Sequence, residues 1–224
     1  PLVMCLIFSK FLLIKFLQLF NINNILYLLL FKVISMEKSI TYFEKEGENY
    51  TDELISLVKQ RLDESDEIRY ILIASASGAS ALKLADAIEG DAQIINVSHH
   101  AGFSGPNEVD ISDEMIDKLE EKGVDTFIGS HALSGVGRGI TNKLGGINPP
   151  DIIADTLRMF SHGVKVACEI SIMAADAGLI PVDEEIIAIG GRAHGVDTAV
   201  VLTPANMTNV FDLNIHEIIA MPRQ

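Results

Sequence analysis

Apolar residues along this chain follow two patterns that alternate from residue 36 onward, one at helical spacing and one in short continuous runs. Leu54, Leu57, Val58 and Leu62 fall on one face of a helix over residues 51–62. It starts at Tyr50 or Thr51 and carries Asp52 and Glu53 in its first turn, where carboxylates complement the helix dipole. A second helical pattern, through Leu82, Leu84, Ala85 and Ile88, follows a turn of small residues at 75–80. Ser112 caps a third helix over residues 112–122, and Gly123 ends it. Pro149-Pro150 opens a fourth through Ile152, Ile153, Leu157 and Met159, and a fifth covers residues 170–177 before Gly178. The continuous runs at residues 69–74, 93–98, 125–129, 164–168, 185–190 and 199–202 predict strands. The apolar run 215–221 suits either an added strand or a subunit interface.

Strands this uniformly apolar are covered on both faces. The pattern therefore predicts an α/β fold, a three-layer sandwich with a mostly parallel sheet between helical layers. No linker-like stretch interrupts residues 36–224, which read as a single α/β domain. Residues 1–35 read differently, being dominated by Leu, Ile and Phe and interrupted by Lys10, Lys15, Gln18, Asn21, Asn23, Asn24 and Lys32. Ile25 to Phe31 is too short to span a bilayer. The mix is that of translated AT-rich non-coding sequence, so Met36 is the expected start and residues 1–35 a non-native leader, with an anchor or signal segment as the alternative.

Charge narrows the function classes. The chain of 224 residues carries a net charge of −14, and residues 1–35 contribute three lysines and no acid, leaving −17 on residues 36–224. Such acidity argues against a nucleic-acid-binding surface, and nothing in residues 36–224 calls for a membrane. A small anion remains compatible, because local N–H groups and one arginine suffice to hold it. Only Cys5 and Cys168 are present, which disfavours a disulfide framework and makes a reducing cytoplasm the expected location.

In sheets of this class ligands bind outside the carboxyl ends of the strands. The run Ser75-Ala76-Ser77-Gly78-Ala79-Ser80 joins a strand to a helix, so it combines capping residues with free backbone donors for an anion. It has one glycine, which excludes a dinucleotide fingerprint, and no Gly-Lys-Ser/Thr, which excludes a P-loop. His99, His100 and Phe103 follow the second strand; His131, Leu133, Gly135 and Arg138 follow the third; Gly191 and Arg192 follow the fifth; Thr203 and Asn206 follow the last. Gly135, Gly137 and Gly139 around Arg138 suggest an anion-accommodating loop, or else a mobile surface loop. Arg192 reads as a second basic candidate or as half of a salt bridge.

Catalytic signals are sparse. Cys168 ends a predicted strand and reads as a small buried hydrophobe rather than a nucleophile. Glu169 directly after it reads as a helix cap. The adjacent His99 and His100 point to opposite faces of an extended chain, and no clustered ligand spacing supports a metal, so a metal-dependent hydrolase is the least supported alternative. The residues describe a binding site better than a reaction.

Several separate blocks carry a resemblance. They are Ser75-Ala76-Ser77-Gly78-Ala79-Ser80, His131-Ala132-Leu133-Ser134-Gly135, Gly163-Val164-Lys165-Val166-Ala167, residues 174–181, Ile189-Gly190-Gly191 and residues 211–220. Together they resemble the archaeal and bacterial family of stand-alone proteins related to the carboxyl-terminal α/β domain of pyruvate kinase. In the kinase that domain is regulatory, and its serine-rich turn holds a phosphate of a sugar-bisphosphate effector in some members. The kinase's catalytic barrel is absent here, so phosphotransfer from phosphoenolpyruvate is not implied. Stand-alone relatives look like binders of flavin mononucleotide (FMN).

The resemblance therefore implies a phosphorylated small ligand, FMN first and a sugar phosphate sensed by a regulatory domain second. Its implied site comprises Ser75, Ser77, Gly78, Ala79, Ser80, His99, Phe103, His131, Leu133, Gly135, Arg138, Gly191, Arg192, Thr203 and Asn206. Phosphate would meet the turn or Arg138, and the ring would meet Phe103, Leu133 or Met207, with polar contacts from His99, Asn206 or Thr203. Homo-oligomerisation is expected from how often such domains associate.

Overall fold

The strands assemble into one mixed sheet in a computed structural model that describes residues 37–64 and 67–224. The reading of residues 1–35 as a leader lies outside the described residues. Residues Ile40–Gln224 form one compact unit. In chain order this unit contains β1 (Thr41–Phe43), α1 (Thr51–Asp63), β2 (Tyr70–Ala74), α2 (Ala79–Ala87), β3 (Gln93–His99), α3 (Asp113–Glu120) and β4 (Asp125–Gly129). Three helices follow, α4 (Gly135–Leu144), α5 (Pro149–Arg158) and α6 (His162–Asp176). The chain ends with β5 (Ile186–Gly190), β6 (Thr198–Thr203), a 3-10 turn (Met207–Asp212) and β7 (Asn214–Pro222).

The sheet order is β1-β7-β6-β5-β2-β3-β4. Its pairs are parallel except β5–β6 and β6–β7, which are antiparallel. This is an α/β fold with a mixed, mostly parallel sheet flanked by helices. Strand alternation divides the core into two layers. Ile71, Ile73, Ile187 and Ile189 face Leu54, Val58, Leu84 and Leu119 of α1, α2 and α3. Leu72, Ile95, Ile186 and Ala188 face Val164, Ala167, Cys168 and Ala174 of α6. Among the described residues no helix is long and apolar enough to cross a membrane.

Two sequence expectations are overturned. Residues 164–168 are not a strand, and the helix does not begin near Ile170. Both belong to α6, whose N-cap Ser161 accepts from the Val164 amide at 3.0 Å. The helix is buried on nearly every side, between the sheet and a small cluster of Leu133, Ala154 and Ile172. Burial all round erases the one-sided stripe by which a helix is recognised. Similarly, the glycines around Arg138 form no loop. Gly135 opens α4, and Arg138 N donates to Ser134 O at 2.8 Å as a first-turn helical bond. The run 215–221 is a strand, within β7.

Close approach of α6 to the sheet rests on glycine. A methyl group on Gly190 would fall on the Gly163 carbonyl oxygen and within 3.0 Å of the Ala167 nitrogen. Gly139, in α4, has nothing near its missing Cβ. The same substitution should therefore have opposite signs at the two positions. Gly190→Ala is expected to lower unfolding stability by about 1–3 kcal/mol through overpacking. Gly139→Ala should raise it by up to about 1 kcal/mol through helix propensity. Urea denaturation midpoints of the two variants test both signs.

Candidate functional site

Parallel β2, β3, β4 and β5 aim their carboxyl ends at one edge of the sheet. After β2 the chain crosses one face through α2 to β3, whereas β5, on the other side of β2, is entered from α6 on the opposite face. Connections diverging on either side of one strand leave a crevice between them. A cleft of about 600 Å³ occupies this position.

Its first wall is the β2–α2 turn. Gly78 takes φ +80°, a left-handed conformation that favours glycine, and a Cβ there would come within 2.5 Å of Met115 Cγ on α3. Gly78 thus serves backbone geometry and helix packing and does not line the cleft. Ser75 occupies two of the turn's amides, since its carbonyl accepts from Gly78 N at 3.2 Å and its hydroxyl from Ser80 N at 3.1 Å. The amides of Ser77 and Ala79 have no protein acceptor among the described residues. The turn is partly self-capped and partly open, with Ser75, Ser77 and Ser80 lining the cleft.

A second wall is built from rings. His99 and Phe103 stack with centroids 3.9 Å apart, and His131 stands edge-on to both at 5.4 and 5.2 Å. Asp110 fixes the His99 ring through an Oδ2–Nδ1 contact of 2.6 Å. Hydrogen bonds from Ser104 and His99 hold the Asp110 carboxyl below its ordinary range. His131 is desolvated, which lowers its pKa to about 4 against a smaller opposing pull from Glu169. Its imidazole is therefore neutral near pH 7.

The third wall is the amino-terminal half of α6, which sequence reasoning missed. His162, Lys165, Val166 and Glu169 line the cleft from this helix. Lys165 and Glu169 are 4% and 2% exposed and form an i,i+4 ion pair. Burial pushes the Lys165 ammonium below its usual range, and Glu169 offsets only part of that. The second Glu169 oxygen accepts from Leu133 N at 2.9 Å, tying the β4–α4 connection to α6. Glu169 is thus a buried partner within a helix, not the cap of one.

Cations gather at this edge of an acidic chain. Arg138, Arg158, Arg192 and Lys165 line the cleft, against Asp110 and Glu169 as its acids. Arg158 pairs with Asp155 and Arg192 with Glu46, at 2.6 and 2.7 Å. Glu46 also accepts from the His162 amide at 2.7 Å, so the dipole of α6 is already met by a carboxylate. Burial alone would raise the Glu46 pKa, but Arg192 and the His162 amide together hold it below its ordinary value. Arg138, on the first turn of α4, has no carboxylate partner among the described residues.

The remaining expected residues sort by geometry. His99, Phe103, His131, Arg138, Gly191 and Arg192 line the cleft, as do the three serines. Gly78 and Ala79 lie in its turn, Gly135 opens α4, and Leu133 is buried against Ala154 and Ile172. Thr203 and Asn206 do not join the site. Antiparallel β6 carries them to the opposite edge, where Thr203 contacts His216 at 2.8 Å and Asn206 donates to Asp176 at 3.0 Å. Met207 opens the 3-10 turn at that same edge and cannot wall a ring in the cleft.

Cys168 faces the core, and burial raises its thiol pKa to about 12, which removes the thiolate a nucleophile needs. Among the described residues no group of three or more His, Cys, Asp or Glu side chains could hold a metal ion.

No protein-family model matches the chain. Among solved structures it is similar to a crystal structure of a pyruvate kinase from Cryptosporidium parvum, at 12% identity and a TM-score of 0.38 over 72% of this chain and 24% of that one. Pyruvate kinase from the same organism in complex with ADP matches at 12% identity and a TM-score of 0.35, over 77% and 24%. The chain thus spans about a quarter of the length of these kinases. The likeness is a weak, partial one of fold and establishes no family membership.

The depressed His131 pKa has a stability consequence. An unfolded histidine takes up its proton near pH 6.5 and the folded one only near 4. Between those values the unfolded state binds more protons, so stability should fall as pH drops from about 6.5 to about 4. Urea midpoints measured across that interval should show the decline, and His131→Asn should make it shallower.

Proposed function

We propose that the cleft binds a small phosphorylated ligand, with FMN the first occupant to test. The observation that carries this reading is Arg138, a guanidinium without a carboxylate partner, lining the same cleft as the open amides of the β2–α2 turn. A chain of net charge −14 repels anions at long range, so cations concentrated in one crevice require a local reason. Helix amino termini and arginine forks are the donors that phosphate oxygens accept best. Of the helix starts beside the cleft, that of α6 is met by Glu46, while those of α2 and α4 have no such carboxylate among the described residues.

FMN fits the residues present. Its phosphate would take Ser77, Ser80 and Arg138. Its ring would lie by His99, Phe103 and His131, which offer flat faces. A volume of about 600 Å³ lies within the span of small-ligand pockets, roughly 300–1,000 Å³. When bound, the flavin would supply redox chemistry; the chain's part is binding, orientation and exclusion of water. The same reading takes residues 36–224 as one domain of the stand-alone family similar to the kinase's carboxyl-terminal domain.

Added FMN should lose fluorescence saturably on titration with the protein. Arg138→Ala should weaken that binding by about tenfold or more, the loss of a charge-assisted hydrogen bond. A melting shift with sugar phosphates but no effect of FMN would favour a metabolite-sensing role. Neither response in the intact protein would overturn the phosphate site.

A further inference from the structure

We infer that the cleft also has a covalent capability, in which Lys165 forms an imine with a phosphorylated aldehyde or ketone. The phosphate half of this assignment rests on the reading above, and the amine half stands on separate observations. Lys165 is 4% exposed yet lines the cleft. A lysine needed only as a cationic anchor is best placed at a wet rim, where Arg138 sits, because an ammonium loses strong hydration on burial.

The hydrogen bonding of Lys165 is also incomplete. An ammonium has three donors, and Glu169 is the one acceptor its Nζ meets among the described residues. Its other two N–H donors have no protein acceptor among the described residues, so loss of a proton there breaks no further protein hydrogen bond. Glu169 is held for proton exchange, since its other oxygen is anchored by the Leu133 amide and the carboxylate cannot turn away. His131, neutral beside this pair, adds no charge that would hold a second carboxylate in the cleft.

The step balances without an added oxidant or reductant. Glu169 takes one proton from the Lys165 ammonium, which leaves a neutral amine and a carboxylic acid. The nitrogen lone pair attacks the carbonyl carbon, forming the C–N bond as the C=O π pair moves to oxygen. That oxygen then receives a proton from the new ammonium centre, giving a neutral carbinolamine. Glu169 returns its proton to the hydroxyl, which leaves as water while the nitrogen lone pair closes the C=N bond. The products are a protonated imine and water, with the Glu169 carboxylate restored. Because the phosphate donors and the amine line one cleft, the phosphate and the carbonyl carbon belong to one small molecule.

The test is reductive trapping on the full chain with pyridoxal 5′-phosphate as probe, sodium borohydride to fix the imine, and peptide mass mapping. One adduct is expected at Lys165, forming about tenfold or more faster than with pyridoxal, which lacks the phosphate. Lys165→Arg should lose the adduct while keeping its circular dichroism. If that variant does not fold, the wild-type chain decides, since inorganic phosphate should suppress labelling at Lys165 and spare exposed Lys45 and Lys59. Label confined to exposed lysines, with Lys165 unmodified, overturns the imine whatever FMN does. Equal rates with pyridoxal and its phosphate, both at Lys165, keep the amine and overturn the phosphate site.

Discussion

The Glu169 carboxylate, buried between Lys165 and the Leu133 amide, is the interaction on which the cleft depends. It joins α6, the longest helix among the described residues, to the connection that delivers His131, Ser134 and Arg138. Without a partner, either charge would be strongly destabilising in this environment. With both present, the pair fixes the register between α6 and the end of β4. Replacing the pair with apolar side chains of equal volume would satisfy packing alone. Both side chains line the cleft, so the pair lies within reach of an occupant as well as holding the fold.

Electrostatics around the cleft follow from how each helix start is used. Ser161 and Glu46 satisfy the first amides of α6 from within the protein, which converts that terminus into structure. The start of α2 is satisfied only in part, by Ser75, because the left-handed Gly78 is spent on packing against α3. Fixed dipoles beside an uncompensated guanidinium make this edge locally favourable to an anion. The ring cluster beneath it is held by Asp110 and keeps His131 uncharged, so charge and flat apolar surface lie side by side.

Much of this was legible in the chain itself. The runs that became β2, β3, β5 and β6 stood out because strands covered on both faces are uniformly apolar, whereas β4 lies at the sheet edge and has no buried residue. The caps at Ser112 and at Pro149 did so because their chemistry is local. The strand reading at residues 164–168 failed because α6 is enclosed, although Ser161 and the Lys165–Glu169 spacing were a helical signal in plain view. The glycines beside Arg138 masked α4 for a related reason, since propensity outweighed context. Thr203 and Asn206 were assigned to the wrong edge because no residue of β6 records the direction in which it is inserted. His162 and Lys165 escaped notice, and Glu169 was read as a cap, because strand ends alone do not reveal the helix that returns to the same edge.

Antiparallel β6 has a wider effect through its neighbours. It lets β7 run parallel to β5, and the short β1 then pairs with β7 at the margin of the sheet. The segment leaving β1 crosses the cleft edge and brings Glu46 to Arg192 and to the start of α6. The segment after a marginal strand of three residues thereby contributes to the charge balance of the cleft. Any cut, fusion or modification that detaches it would free Arg192 and bare the α6 dipole together, so that damage at the amino-terminal margin would register as stronger attraction for anions.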